Sequence, residues 1–222
     1  MKNSTLWILA LTLVTSSAAH AAIIGGDVTG GTAFADGGTF VKLSVPLANL
    51  FGPPDSVGND NFQSPDLFGF DEDQNISLTT ALAVDVGASP IPAGTLVASH
   101  YIFFDPGPTL EVIGTVNFDS AVLGILTSTA TLASTDFLAN TGVNYLNPSN
   151  RGLEAGDSVT ISGPNQILFD TVASSPGDYV RVLTAFSPSA GAVPEPGGFA
   201  LPGVLAAIAM LATARRSGTR SS

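Results

Sequence analysis

Apolar and polar positions alternate along most of the chain, in short runs cut by Gly, Pro, Asn and Asp. The cleanest run is residues 76–86. Ile76, Leu78, Thr80, Leu82, Val84 and Val86 fall on one side of a two-residue period, and Ser77, Thr79, Ala81, Ala83 and Asp85 on the other. That period predicts a half-buried strand. Residues 40–45 alternate through Val41, Leu43 and Val45, which predicts a first strand there. Residues 110–118 set Leu110, Val112, Val116 and Phe118 against Glu111, Thr115 and Asn117. Residues 95–104 are apolar on both sides, as expected of a strand at the centre of a sheet. Shorter runs at 121–127, 159–162, 167–172 and 179–186 complete the set.

The intervening segments carry turn chemistry. Pro90, Pro92 and Gly94 mark a turn. Residues 25–38 are rich in Gly and predict an irregular segment; no Lys-Ser/Thr follows the glycines, so they make no phosphate-binding loop. Residues 47–73 read as a long loop packed down by Phe51, Phe62, Leu67, Phe68 and Phe70. Ser134, Thr135 and Asp136 ahead of Phe137 and Leu138 predict the capped start of a short helix, and residues 146–156 predict a loop. Short strands at this spacing, with turns of this composition, indicate an all-β chain: a single antiparallel β-sandwich or jelly-roll-like domain over residues 22–186.

The two ends of the chain have a different character. Lys2, then the apolar run of residues 6–14, then Ala19, His20 and Ala21 form a secretory signal peptide over residues 1–21. Signal peptidase would cut between Ala21 and Ala22, so the expected mature chain begins at Ala22. Residues 187–192 are a linker of small residues and Pro. Beyond it stand Val193, Pro194, Glu195, Pro196 and Gly197, an uncharged run over residues 197–214, and a basic tail over residues 215–222 with Arg215, Arg216 and Arg220. As a helix the run would reach roughly 27 Å, marginally enough for a hydrocarbon core of about 30 Å. Arg215 and Arg216 set a cytoplasmic end. Pro194 and Pro196 hold the peptide before the span extended. The span is therefore expected to be a transient membrane anchor.

This tail resembles the PEP-CTERM sorting signal of Gram-negative bacteria. The match runs in order through Val193, Pro194, Glu195, Pro196 and Gly197, the apolar span, and the Arg-rich end. The resemblance implies recognition by an exosortase and processing near Glu195. It also implies a route from an inner-membrane-anchored precursor to the cell surface or an extracellular, exopolysaccharide-associated matrix. Residues 97–106, 114–128, 150–158 and 175–184 are similar to an uncharacterised passenger domain that recurs with this tail; that resemblance implies no activity.

Charge narrows the partners. Residues 22–191 hold three basic side chains, Lys42, Arg151 and Arg181, against seventeen acidic ones, a net charge of −14. This excludes nucleic acid as a partner. The chain has no Cys, so neither disulfides nor thiolate chemistry are available. Asp71, Asp73 and Asn75 have the alternate spacing of the start of a Ca²⁺ loop, but Ile76 stands where the turn Gly belongs and Leu82 where the bidentate Glu belongs. A looser Ca²⁺ site there is the candidate metal site, set against a solvated acidic loop. Gly156, Asp157 and Ser158 are like an esterase nucleophile block, which needs a His. The sole His after the signal peptide, His100, sits in a predicted strand and reads as a hydrogen-bonded sheet residue. Glu111 and Glu154 offer carboxylates for a glycosidase. Sugar-stacking side chains are limited to Tyr101, Tyr145 and Tyr179. The residues thus favour an exported, non-catalytic protein without a required cofactor. A Ca²⁺-dependent carbohydrate-binding or adhesion module and a secreted hydrolase stand as alternatives.

Overall fold

Strand pairing organises the chain into two principal sheets that share an apolar interface. The computed structural model describes residues 22–186. In chain order these form β1 (Ile23–Gly30), α1 (Gly31–Ala35), β2 (Phe40–Lys42), β3 (Ser56–Val57), β4 (Leu67–Asp71), β5 (Ile76–Ser77) and β6 (Val86–Gly87). There follow β7 (Leu96–Phe104), β8 (Leu110–Phe118), β9 (Val122–Leu126), α2 (Thr129–Ser134) and a 3₁₀ turn at Asp136–Leu138. The last elements are β10 (Asn144–Tyr145), a 3₁₀ turn at Pro148–Asn150, β11 (Ser158–Gly163), β12 (Gln166–Ala173) and β13 (Asp178–Ala185).

The smaller sheet has the order β1-β8-β12-β11 and is antiparallel throughout. The larger runs β2-β4-β7-β13-β9-β6, with β5 beside the start of β7. The chain is all-β, but its pairing is not purely antiparallel as expected. β2 runs parallel to β4, and the two-residue strands β3 and β10 form a second parallel pair. The long connection between β2 and β4 supplies the crossover length that a parallel pair requires.

One core lies between the two sheets. Val112, Val116 and Phe118 of β8 and Ile167 and Phe169 of β12 meet Ile102, Phe104, Ile125, Val180 and Val182 of the larger sheet. The opposite face of the larger sheet is buried too. There Val97, Tyr101, Phe103, Phe70, Tyr179 and Leu183 are covered by Leu47, Val57, Phe62, Leu78, Val84, Leu132 and Leu138 from loops and short helices. This double burial is why β7 is apolar on both sides. Every residue of β7 after Leu96 is buried.

Several elements differ from expectation, each for a physical reason. Residues 76–86 are not one strand: only β5 and β6 pair, one alongside β7 and the other alongside β9. Between them the chain straps across the second core. Leu78 and Val84 are buried, while Ser77, Thr79, Ala81, Ala83 and Asp85 are exposed. Isolated hydrogen bonds hold it, including Leu82 with Ile91 and Leu78 N–H to the Thr95 carbonyl at 3.0 Å. Periodicity reports which side faces a core; it does not report a ladder.

The Gly-rich N-terminal segment, expected to be irregular, is β1 followed by α1. At Gly26 the glycine is required by close approach: a Cβ there would lie 2.5 Å from Phe40 and from the Thr115 carbonyl. Leu67, Phe68 and Phe70 belong to β4, buried on both faces, rather than to a loop. The expected helix start at Ser134–Leu138 is a single 3₁₀ turn, Asp136–Leu138, without a side-chain cap, and the α-helix α2 lies ahead of it. Ser128 caps α2 by accepting from Thr131 N–H at 3.3 Å. Thr135 turns its hydroxyl back to the Thr131 carbonyl at 2.8 Å and so closes the helix.

Among the described residues no helix is long and apolar enough to cross a membrane. The expected signal peptide (residues 1–21), linker (187–192), span (197–214) and basic tail (215–222) lie outside the described residues.

Candidate functional site

The acidic run at the end of β4 sends consecutive side chains to opposite faces of the larger sheet, as the strand's two-residue period dictates. Asp71 faces the intersheet side. Its Oδ1 accepts from His100 Nδ1 at 2.8 Å and from Ile23 N–H at 3.0 Å, and its Oδ2 accepts from Lys42 Nζ at 2.8 Å. Lys42 Nζ also donates to the Ile23 carbonyl at 2.8 Å. One carboxylate thus ties β1 of the smaller sheet to β2, β4 and β7 of the larger. Burial works against the charge of Asp71, but the His100 hydrogen bond and charge, then Lys42, outweigh it and hold the carboxyl below its usual range.

His100 is fully buried. Its Nδ1 faces an acceptor-only carboxylate and so carries the proton, while Nε2 lies 3.0 Å from Thr184 Oγ1. The arrangement Asp71–His100–Thr184 has the connectivity of a hydroxyl-activating relay. Thr184 is fully buried, however, so its hydroxyl presents no face to a substrate. His100 is the hydrogen-bonded sheet residue that the sequence suggests.

Glu72 turns to the other face and becomes the hub of a buried ionic network. Arg181 donates to it through Nε at 2.6 Å and Nη2 at 2.9 Å, Ser99 Oγ at 2.6 Å and Tyr145 OH at 2.6 Å. Arg181 Nη1 continues to Thr135 Oγ1 at 2.8 Å, the Leu132 carbonyl at 3.1 Å and Asp136 Oδ1 at 3.5 Å. Asp136 in turn receives Arg151 in bidentate form, at 2.8 and 2.9 Å. Burial opposes the charge on Asp136, and the Arg151 hydrogen bond and charge overcome it, holding the carboxyl low. Burial opposes the charge on Arg181 as well, and Glu72 overcomes it, so the guanidinium stays charged. Asp85 fastens the helix that feeds this network: it accepts from Thr127 N–H at 2.7 Å, Ser128 N–H at 2.9 Å and Thr131 Oγ1 at 2.6 Å.

The three residues of the candidate metal loop are therefore placed differently from one another. Asp71 is committed to His100, Lys42 and Ile23. Asp73 receives no such cation; burial, then the Glu72 charge, raise its pKa. Asn75 takes a left-handed backbone at φ 56°. Among the described residues no three His, Asp or Glu side chains are grouped to hold one metal ion. Ser158 opens β11, opposite Asp170, and the neighbouring Asp157 accepts from Val172 N–H at 2.9 Å. His100 lies in the other sheet. The tyrosines line the second core: Tyr101 and Tyr179 are fully buried, and Tyr145 spends its hydroxyl on Glu72. A cavity of about 240 Å³ opens beside Lys42, Asp71, Glu72 and Asn140.

Glu72, Arg181, Asp136 and Arg151 are the residues that sequence reading missed as a group. One signal was present: Arg181 sits among Tyr179, Val180, Val182 and Leu183, and a charge inside an apolar strand needs a buried partner. Of the expected processing residues, Ala22 is described, and its carbonyl accepts from Asp119 N–H at 3.0 Å. Ala19, Ala21, Val193, Pro194, Glu195, Pro196, Gly197, Arg215 and Arg216 lie outside the described residues. No protein-family model, no curated protein and no solved structure matches the chain.

Proposed function

We propose that this is an exported, non-catalytic protein of the cell surface or extracellular matrix. An exosortase delivers it through the C-terminal signal of Pro194, Glu195 and Pro196, the apolar span and Arg215–Arg216. The observation that carries the reading is that order of elements, triplet then uncharged run then basic end. The domain it delivers is a β-sandwich whose two sheets enclose the first core.

The folded domain is suited to this role. Ile23, the first residue of β1, directly follows Ala22, where signal peptidase would leave the new amino terminus. All three basic side chains of the domain serve internal ion pairs: Lys42 with Asp71, Arg151 with Asp136 and Arg181 with Glu72. The other acidic residues, apart from the buried Asp105 and Asp178, give an anionic surface, which favours solubility outside the cell and disfavours nucleic acid and anionic lipid. The His100 relay and the Glu72 network are satisfied within the fold, which supports a structural use of these groups rather than a catalytic one.

Intact mass of the protein from its native host, with and without the exosortase, tests the reading. The expected product begins at Ala22 and lacks the residues beyond the triplet. In the exosortase-deficient host, residues 197–222 remain attached. The same mass from both hosts would refute it.

A further inference from the structure

Three connections meet where β7 ends. Asp105 immediately follows β7, Asp60 lies in the connection between β3 and β4, and Ser175 lies in the turn between β12 and β13. Hydrogen bonds join the three connections. Phe62 N–H donates to Asp105 Oδ2 at 3.0 Å, Ser64 N–H to the Asp105 carbonyl at 3.1 Å, and Ser175 Oγ to Asp60 Oδ2 at 2.6 Å. Gly177 closes the third side. It adopts φ +90°, and a Cβ there would stand 3.0 Å from Asp105 Cα and 3.1 Å from Tyr179 OH. Only glycine permits so near an approach.

Each of the two aspartates has one oxygen satisfied and one left over. Asp105 is fully buried; the backbone N–H groups of Phe62 and Asn61 face its carboxyl, and its Oδ1 has no further partner. Asp60 Oδ1 is likewise shielded from solvent and without a partner. A buried carboxylate oxygen without a donor costs free energy, and here two occur on neighbouring, like-charged groups. Burial, with the charge of Asp60 adding to it, pushes the Asp105 carboxyl up to about 6. Lys42, Arg151 and Arg181 are all engaged elsewhere. What the pair lacks is a positive charge that accepts oxygen ligands.

We propose that Asp60 and Asp105 bind a Ca²⁺ ion through Oδ1 of each, with backbone carbonyls and water completing the shell. Ca²⁺ takes six to eight oxygen ligands in flexible geometry and tolerates few carboxylates, whereas Mg²⁺ demands a near-ideal octahedron. A two-carboxylate site binds in the millimolar range typical of extracellular modules. Bound there, the ion cross-links three loops at one end of the domain and removes the repulsion between the two carboxylates. The site is distinct from Asp71, whose oxygens already serve His100, Lys42 and Ile23.

Thermal unfolding of the purified full chain at pH 8, in chelator, millimolar Mg²⁺ or millimolar Ca²⁺, tests the site independently of how the protein is delivered. Ca²⁺ at about tenfold its Kd is expected to raise Tm by roughly 3–5 °C, and Mg²⁺ by less. Asp60→Asn keeps a residue that tolerates the left-handed backbone at φ 53°, and Asp105→Asn supplies the missing donor. Both are expected to fold and to lose the Ca²⁺ response, while Asp71→Asn keeps it. Tb³⁺ luminescence in the unaltered chain gives a second readout. Tyr179, next to Asp105, should sensitise the signal, Tyr179→Phe should weaken it, and Ca²⁺ should compete it away. An unshifted Tm with no competed Tb³⁺ signal means that the two oxygens share only a proton, and overturns the site. A Ca²⁺ response that survives in Asp60→Asn and Asp105→Asn, or that vanishes in Asp71→Asn alone, also overturns it.

Discussion

Glu72 and Arg181, 109 residues apart in sequence, form a two-point ion pair at 2.6 and 2.9 Å with both side chains shut off from solvent. Burying two charges is costly, and their attraction offsets that cost only when every remaining donor and acceptor is satisfied. Ser99 and Tyr145 complete Glu72, and Thr135, the Leu132 carbonyl and Asp136 complete Arg181. Removing one partner leaves the other charged and unpaired. Arg181→Leu and Glu72→Gln should each destabilise the protein by about 3–5 kcal/mol in urea unfolding. The paired change Glu72→Leu with Arg181→Leu should cost less than the sum of the singles. Single-variant losses below about 1 kcal/mol would show the pair to be exposed to water.

The strap between β5 and β6 makes a second prediction. Leu78→Ala should cost about 2–4 kcal/mol, because it opens a cavity in the second core. Ala81→Asp, on the exposed side, should change stability by less than about 0.5 kcal/mol. Hydrogen exchange separates a strap from a strand. Amides of residues 79–81 and 83 should exchange faster than those of residues 97–103, which sit inside a paired sheet. Equal protection would restore the continuous strand.

These two cases show how much of the molecule was readable. Local alternation foretold β8, β11 and β12, and unbroken apolar runs foretold β7, β9 and β13, because each buries one face or both in register with its neighbours. It foretold the buried side of residues 76–86 but not their pairing, since a strap and a strand expose the same alternate positions. β1 escaped notice because Gly26 serves close packing against Phe40 and Thr115, which is a tertiary demand without local trace. The Asp71–Glu72 run looked like a surface loop or a metal loop. Its partners, at Lys42, His100 and Arg181, come together only through the order of strands in the larger sheet.

Stability should fall as pH rises from about 4 towards 7, and Asp178 is one cause. Burial first, then the charges of Asp157 and Glu154, push its carboxyl up to about 7. A folded-state pKa above the unfolded value of 3.8 means that the native protein binds the extra proton between these two values. The stabilisation is complete below pH 3.8 and is lost progressively towards pH 7. Asp178→Asn should therefore raise Tm by a few degrees at pH 8, do little at pH 4, and flatten the slope between. Asp71 and Asp136 act oppositely at the acid limit. Their folded values are depressed, so their contribution is present above about pH 4 and is lost as pH falls through those lowered values. A Tm of the Asp178→Asn variant that tracks the parent across pH 4–8 would show that Asp178 is solvated.

The most direct test of delivery is the fate of Glu195→Ala in the native host. Glu195 is the one charge between the folded domain and Arg215, and a membrane enzyme can read it against a basic side chain. Fractionation with intact mass should find the parent protein outside the inner membrane, starting at Ala22 and shortened beside the triplet. The variant should be exported normally but remain in the membrane fraction, still carrying residues 197–222. A variant processed and delivered like its parent would contradict the account and reduce the tail to a plain anchor.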